Sequence, residues 1–388
     1  MPGRAFSEVA ERVRTWLVCE SFPFWAQAAP DPSGGFYERL DLAGVGIDGE
    51  DSRVRLQARM AFSFSLAAEL GWDHATSKHL TERALLILID KCRRKDGLYG
   101  KRVDTAWGLT DPTIDAYDNA FVLLAFGTAL RVFDDFVAFD AGCALLRSLQ
   151  DRLVRPGGLQ TVGIYEQLPD PALRSQNPHM HMTEALLCWF EVTGNEGALS
   201  AAQDIVQFVA TTFVHSASGT LFEYDSGHAD NRVEVGHLYE WVWILTELDR
   251  LGGSVPEEMR ERLFTRASDL VDHLGYIPLS QSPTGVVLEP IQRTWGLAEK
   301  LKAQLSLWRI TRDLRYIAMA CETTKKIFDD HLNNSVRGAW TDVIDEHGSP
   351  MIDDITPATG YHLFLAFREL LLTEQQLTEE ALRAPKNI

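Results

Sequence analysis

The sequence predicts an all-α fold, an (α/α)6 toroid of twelve helices with short β-hairpin loops. Three observations lead there. Segments with apolar residues at three- and four-residue spacing recur along all 388 residues and read as helices. After every second helix comes a glycine followed by residues of extended type, and successive glycines are 62, 61, 61, 66 and 53 residues apart. A helix pair cannot bury its apolar faces alone, so six such units close into inner and outer layers.

The units follow in order. A helix over roughly 5–28 leads to Gly35-Phe36-Tyr37-Glu38, and helices over roughly 53–71 and 74–94 lead to Gly97-Leu98-Tyr99-Gly100. Helices over roughly 114–131 and 136–152 precede Gly158-Leu159-Gln160-Thr161, and those over roughly 178–193 and 196–213 precede Gly219-Thr220-Leu221-Phe222. Helices over roughly 234–251 and 256–274 precede Gly285-Val286-Val287-Leu288, and those over roughly 290–310 and 313–329 precede Gly338-Ala339-Trp340-Thr341. The last helix is expected over roughly 357–373, with Glu379–Ile388 frayed. Glycine permits the turn out of a helix, and β-prone residues after it favour hairpin pieces. An open solenoid of the HEAT or TPR type has shorter units, about 34–47 residues. One domain over residues 1–388 is therefore expected.

Composition narrows the function. With 37 basic and 55 acidic residues the net charge is −18, which repels polyanions and argues against nucleic acid as partner. The five cysteines (Cys19, Cys92, Cys143, Cys188 and Cys321) form no CxxC pair, so reduced thiols are expected rather than a zinc ribbon or a disulfide framework. Neither a signal-peptide pattern nor an apolar run long enough to span a membrane is visible. The expected location is the cytoplasm. The sequence leaves a homodimer open.

Candidate chemistry clusters at the starts of even-numbered helices. Asn177-Pro178-His179-Met180-His181 opens the sixth, Gly236-His237 with Glu240 opens the eighth, and Tyr361-His362 lies in the first turn of the twelfth. His237 and Glu240 stand at i and i+3, so the carboxylate is expected to hold the imidazole in one tautomer. His181 and Glu184 repeat that spacing. Arg59, beside a strongly apolar face, is either a snorkelling side chain or a cleft residue that holds a sugar oxygen or an anion. Tyr117-Asp118-Asn119 likewise sets polar groups in an apolar helix. Trp295, Trp340 and Tyr361 read as core or as flat platforms for a sugar ring. His179 and His181 point to different helix faces, and zinc, dinucleotide, P-loop and Gly-x-Ser-x-Gly patterns are missing, so neither metal nor cofactor is expected.

At these residues the chain resembles the N-acyl-glucosamine 2-epimerase superfamily. The matching elements are Gly34-Gly35-Phe36, Arg55-Leu56-Gln57-Ala58-Arg59, Tyr117-Asp118-Asn119-Ala120-Phe121, Asn177-Pro178-His179-Met180-His181 with Glu184, Gly236-His237 with Glu240-Trp241, Trp295 with Ala298-Glu299, and Tyr361-His362. Val235 stands where the superfamily often has proline. The resemblance implies the (α/α)6 fold, an acid/base pair His237 and His362, and a sugar site lined by Arg59, Tyr117, Asn177, His181, Glu240 and Trp295. Tyr361 joins the expected substrate-binding set, and Arg59 and Glu240 the catalytic one. Phe36-Tyr37-Glu38-Arg39-Leu40-Asp41 looks like the D-mannose isomerase branch.

The expected substrate is thus a monosaccharide and the expected reaction the interconversion of D-mannose and D-fructose, or of D-lyxose and D-xylulose, through a cis-enediol. His362 would take the C2 proton, His237 would assist ring opening and protonate oxygen, and Arg59 would face the enediolate. If His237 instead returned a proton to C2, the product would be the 2-epimer. A glycoside hydrolase working with Asp115, Asp118 or Glu240, and a non-catalytic sugar-binding toroid, are the other classes weighed.

Overall fold

Twelve helical segments appear in a computed structural model of the protein, which describes residues 2–153, 174–215, 218–225, 231–272 and 275–383. The even-numbered ones are α2 (Val54–Glu69), α4 (Ala116–Phe133), α6 (Gln176–Thr193), α8 (Val235–Arg250), α10 (Thr294–Thr311) and α12 (Gly360–Arg383). Each packs on the next, and α12 returns to α2, so they form a closed inner ring. The odd-numbered helices wrap it. They are α1 (Pro2–Trp16, continued through a π turn Leu17–Ser21 into Phe22–Ala28), α3 (His74–Ile87 with the π turn Leu88–Cys92), α5 (Phe136–Leu153), α7 (Glu196–Thr212), α9 (Met259–Asp269) and α11 (Leu314–Asp330). Inner helices are apolar nearly all round and are buried accordingly; α10 is closed to solvent from Thr294 to Trp308 except at Lys300.

Two kinds of connection orient the ring. From inner to outer helix the chain turns at once, through a left-handed residue at Asp134, Gly194 or Arg312. From outer to inner helix it makes a long loop, and these loops gather at the end where the inner helices begin. Among the described residues, short antiparallel pairings join five of the six neighbouring pairs of loops. Ser52–Arg53 pairs with Arg102–Val103, Ser175 bridges Tyr224, Val233 bridges Gln281, and Ile291–Arg293 pairs with Val343–Asp345. Asp354–Ile355 pairs with Leu40–Asp41, joining the last loop to the first.

The extended runs fit only in part. Those at Gly35, Gly219 and Gly285 enter strands Gly34–Phe36, Thr220–Leu221 and Val287–Glu289. The run after Gly97 makes one isolated bridge, Tyr99 with Arg93. Gly338 only turns the chain, at φ +83°, where a side chain would strike the backbone of Glu20. The strands of those two loops come later, at Arg102–Val103, Leu109–Asp111 and Val343–Asp345. The run at Gly158 lies outside the described residues. The last helix continues to Arg383, well past its expected end. Leu370 and Thr373 anchor it, and beyond them Glu379 accepts hydrogen bonds from Gln375 and Arg383 one turn away on either side. The five cysteines are unpaired, and no helix among the described residues is long and apolar enough to cross a membrane.

Candidate active site

A cavity of about 510 Å³ opens where the six inner helices begin. Their first turns supply its walls: Arg55 and Arg59 from α2, Tyr117 from α4, Asn177 and His181 from α6, His237 and Glu240 from α8, Trp295 from α10 and His362 from α12. The N-cap positions of α2, α8 and α10 are Arg53, Glu234 and Arg293, which make no side-chain cap and line the cavity. Six converging helix N-termini bias the cavity toward negative charge on whatever is bound.

His237 is held from behind. Its Nδ1 lies 2.7 Å from Glu223 Oε1, and Gln176 Nε2 donates to both oxygens of that carboxylate at 3.2 Å. Trp241 Nε1 fixes the Gln176 amide by donating to its oxygen at 2.8 Å. A carboxylate can only accept here, so Nδ1 carries a proton and Nε2 is left for the cavity. Burial alone would depress this imidazole, but Glu223, and Glu234 at 3.7 Å, carry it up to about 10. The carboxylate that orients His237 is therefore Glu223. Glu240, expected in that role from its i+3 spacing, instead lies 3.7 Å from His181 Nδ1.

His362 has the opposite character. Its Nδ1 is 2.7 Å from Glu299 Oε1, yet burial, and then the cations Arg59 and Lys302, push it well below the ordinary histidine value. Near neutral pH one imidazole is charged and the other neutral. Both touch the Trp295 ring, with centroids at 5.0 Å for His237 and 5.7 Å for His362. Gly236 lets that ring sit close, since a Cβ there would fall inside its six-membered half.

Arg59 is a cleft residue. Its guanidinium donates to the Tyr117 hydroxyl at 2.7 Å and the Ala358 carbonyl at 3.3 Å, and lies 4.2 Å from the Phe121 ring centre. The other cavity arginines carry carboxylates: Arg39 has Glu50 and Asp354, Arg53 has Glu38, Arg55 has Asp118, and Arg293 has Asp342. Arg59 has none among the described residues. Asn177 Oδ1, His181 Nδ1, Arg59 Nε and both Glu240 oxygens are buried on the cavity wall without a hydrogen-bond partner. Buried polar atoms in that state call for a polar ligand or water.

The sequence model of the N-acylglucosamine 2-epimerase family matches residues 35–366. The chain belongs to that family. Membership places it among the sugar isomerases and epimerases. It is 30% identical over 373 residues to a protein of Rhizobium meliloti named mannose-6-phosphate isomerase, the match covering 92% of this chain and 95% of the relative. It is 25% identical over 387 residues to a D-mannose isomerase of Marinomonas mediterranea, covering 91% and 95%. The structure of cellobiose 2-epimerase from Spirochaeta thermophila superposes with a TM-score of 0.85 at 21% identity, covering 96% of this chain and 98% of that one, and shares the (α/α)6 fold.

Within this family member, eight of the nine expected site residues line one cavity. Tyr361 does not. It is fully buried behind the wall, where its hydroxyl donates to Glu184, and it backs Arg59 and His362 instead of facing a sugar. Trp340 is core, donating to the Thr356 carbonyl at 3.0 Å. His179 turns away from the cavity; it meets the Ser175 carbonyl at 2.8 Å and burial lowers it to about 4. Asp115 and Asp118 are held by Lys101 and Arg55 and line no part of the cavity, which leaves Glu240 alone of the three candidates where a glycosidase needs a pair of carboxylates.

Sequence reasoning assigned no role to Glu223, Gln176 or Lys302, and it quoted Glu299 without one. Glu223 directly follows the Gly219 strand run, and Lys302 stands one turn after Glu299. Those spacings were the available signals. By distance alone, His181, Glu184 and Glu240 could surround an ion, as could Glu240, Glu299 and His362. Tyr361 donates to Glu184, and His362 and Lys302 lie on the two oxygens of Glu299, while both Glu240 oxygens stay open.

Proposed function

We propose that the protein interconverts D-mannose and D-fructose by proton transfer between C2 and C1, without a metal. The observation that carries this reading is two imidazoles on one cavity in opposed surroundings: His237 between the carboxylates Glu223 and Glu234, which raise it to about 10, and His362 buried beside Arg59 and Lys302, which hold it well below its ordinary value. A reaction through an enediol needs a base at carbon and an acid at oxygen in the same site. Neutral His362 takes the C2 proton and returns it to C1. Charged His237 donates to the ring oxygen, recovers a proton from the anomeric hydroxyl as the ring opens, gives it back to the C1 oxygen as the enediol forms, and takes the C2 hydroxyl proton as C1 is protonated. Arg59 and the helix N-termini stabilise the enediolate. The unpartnered atoms of Asn177, His181 and Glu240 suit sugar hydroxyls.

Support for mannose comes from the relatives in Rhizobium meliloti and Marinomonas mediterranea, both named for mannose isomerisation. The name of the first includes a 6-phosphate. Here four of the five cavity arginines already carry a carboxylate, which leaves Arg59 alone, the residue proposed for the enediolate, to meet an anion. The free hexose is the favoured substrate.

Proton NMR of the enzyme with mannose in deuterated buffer tests this. Fructose deuterated at C1 is expected, with mannose 6-phosphate turned over far more slowly and EDTA without effect. Glucose deuterated at C2 would make the enzyme an epimerase, and mannose left unchanged would overturn the reading. Replacing His237→Asn or His362→Asn should abolish turnover with little change in the thermal melt.

A further inference from the structure

Lys302 is a cation set behind the cavity wall. It lies on α10, is fully buried and forms no part of the cavity wall. Its ammonium sits 2.7 Å from Glu299 Oε2 and 4.0 Å from the centre of the Trp243 ring. The other oxygen of Glu299 meets His362 Nδ1 at 2.7 Å. A buried ammonium is expensive to keep charged, so one placed on the carboxylate behind an imidazole calls for a reason.

The surroundings supply one. Three carboxyls meet here: Glu184 from α6, Glu240 from α8 and Glu299 from α10. Also facing this cluster are His181 from α6, Arg59 from α2, Arg293 at the start of α10, and Tyr361 from α12, which donates to Glu184. Carboxyls crowded in a low dielectric do not all ionise; one keeps a proton unless a cation compensates. Burial, then Glu240, hold Glu299 well above the ordinary glutamate value with Lys302 opposing them, so its ionisation hangs on the ammonium 2.7 Å from Oε2.

We propose that Lys302 is a positioning residue for the base: its ammonium keeps Glu299 ionised, which fixes His362 with its proton on Nδ1 and its lone pair on Nε2 toward the substrate. The proposal rests on His362 being the base. Without the ammonium, the cluster takes up one proton from solvent onto Glu299. That carboxyl then donates to Nδ1, and the proton of the neutral imidazole resides on Nε2. No lone pair remains there to take hydrogen from carbon.

The test is nitrogen-15 NMR of the His362 ring in the full chain, assigned by its disappearance in His362→Asn, with pH–rate profiles alongside. The unmodified protein is expected to show Nδ1 protonated at neutral pH. Lys302→Met should show Nε2 protonated, turnover lower by roughly 10²-fold or more, and KM nearly unchanged. Its activity should recover as rising pH ionises Glu299, so the acid limb of kcat moves to higher pH. Lys302→Arg should keep the original tautomer. A Lys302→Met protein with the original tautomer and acid limb would overturn the proposal, and so would an unmodified protein already protonated on Nε2, whether or not the variant folds. The ring nitrogens report the tautomer even if His362→Asn stays active, so failure of the proposal and failure of the isomerase reading are separable.

Discussion

His237 and His362 are both buried, and both turn Nδ1 to a glutamate, yet they differ in charge because of what stands in the second rank. Behind His237 are two carboxylates, Glu223 and Glu234; behind His362 the carboxylate is itself covered by Lys302, and Arg59 adds a second cation. A raised histidine is charged below its pKa and loses the proton as pH rises through it. His237, the proposed acid, therefore holds its proton up to about 10, and the basic limb of the pH–rate profile should lie there. Glu223→Gln should bring that limb down by roughly 1–3 pH units, read from kcat against pH. Arg59→Met should lower kcat by roughly 10²–10³-fold, as loss of one charge-stabilising donor does elsewhere. The two histidines were legible because each opens an inner helix inside an apolar stretch. Glu223 was not, since it reaches His237 across a loop, and a helix-face argument sees only i+3 and i+4 neighbours.

Helix starts serve two ends. Outer helices α3, α7 and α11 are capped by Asp73, Asn195 and Asp313, whose side chains accept from the first-turn amides. Three inner helices give up that cap and use the position to place Arg53, Glu234 and Arg293 in the cavity. Inner helices α4 and α6 keep their caps, Asp115 and Ser175, and outer helix α9 starts at Glu258 without one. Asp313→Ala should cost about 1 kcal/mol in a denaturation experiment and leave turnover unchanged. Gly236→Ala should do the reverse, displacing Trp295 from between the imidazoles and lowering kcat/KM by about 10²-fold while the melt moves little. Helices were legible from their period at nearly every position. The strands at 102–103 and 343–345 were not, because their partners belong to neighbouring loops and the pairing is set by ring closure.

The ring is also closed at its far end, by charge. Arg131 of α4 bridges Glu69 of α2 and Glu191 of α6; Arg250 of α8 bridges Glu191; Arg309 of α10 bridges Glu247 of α8 and Glu369 of α12; Arg368 of α12 returns to Glu69. The circuit visits all six inner helices and surrounds a second cavity of about 240 Å³, which none of the expected site residues lines. Arg309→Met leaves two largely buried carboxylates short of a partner and should lower stability by about 3 kcal/mol, seen as a lower melting temperature with the same catalytic constants. The six-unit plan could be read from the glycine spacing, but this circuit could not, since each helix contributes only one or two ordinary charges. Both closures serve to hold first turns of different helices around a single sugar. The most direct test of that claim uses mannose carrying deuterium at C2, with release of the label followed in the unmodified enzyme, His237→Asn and His362→Asn. The label should leave C2 in the unmodified enzyme, passing partly to C1 of fructose and partly to solvent, and should stay in place in His362→Asn. Release by His362→Asn at the unmodified rate would contradict the account.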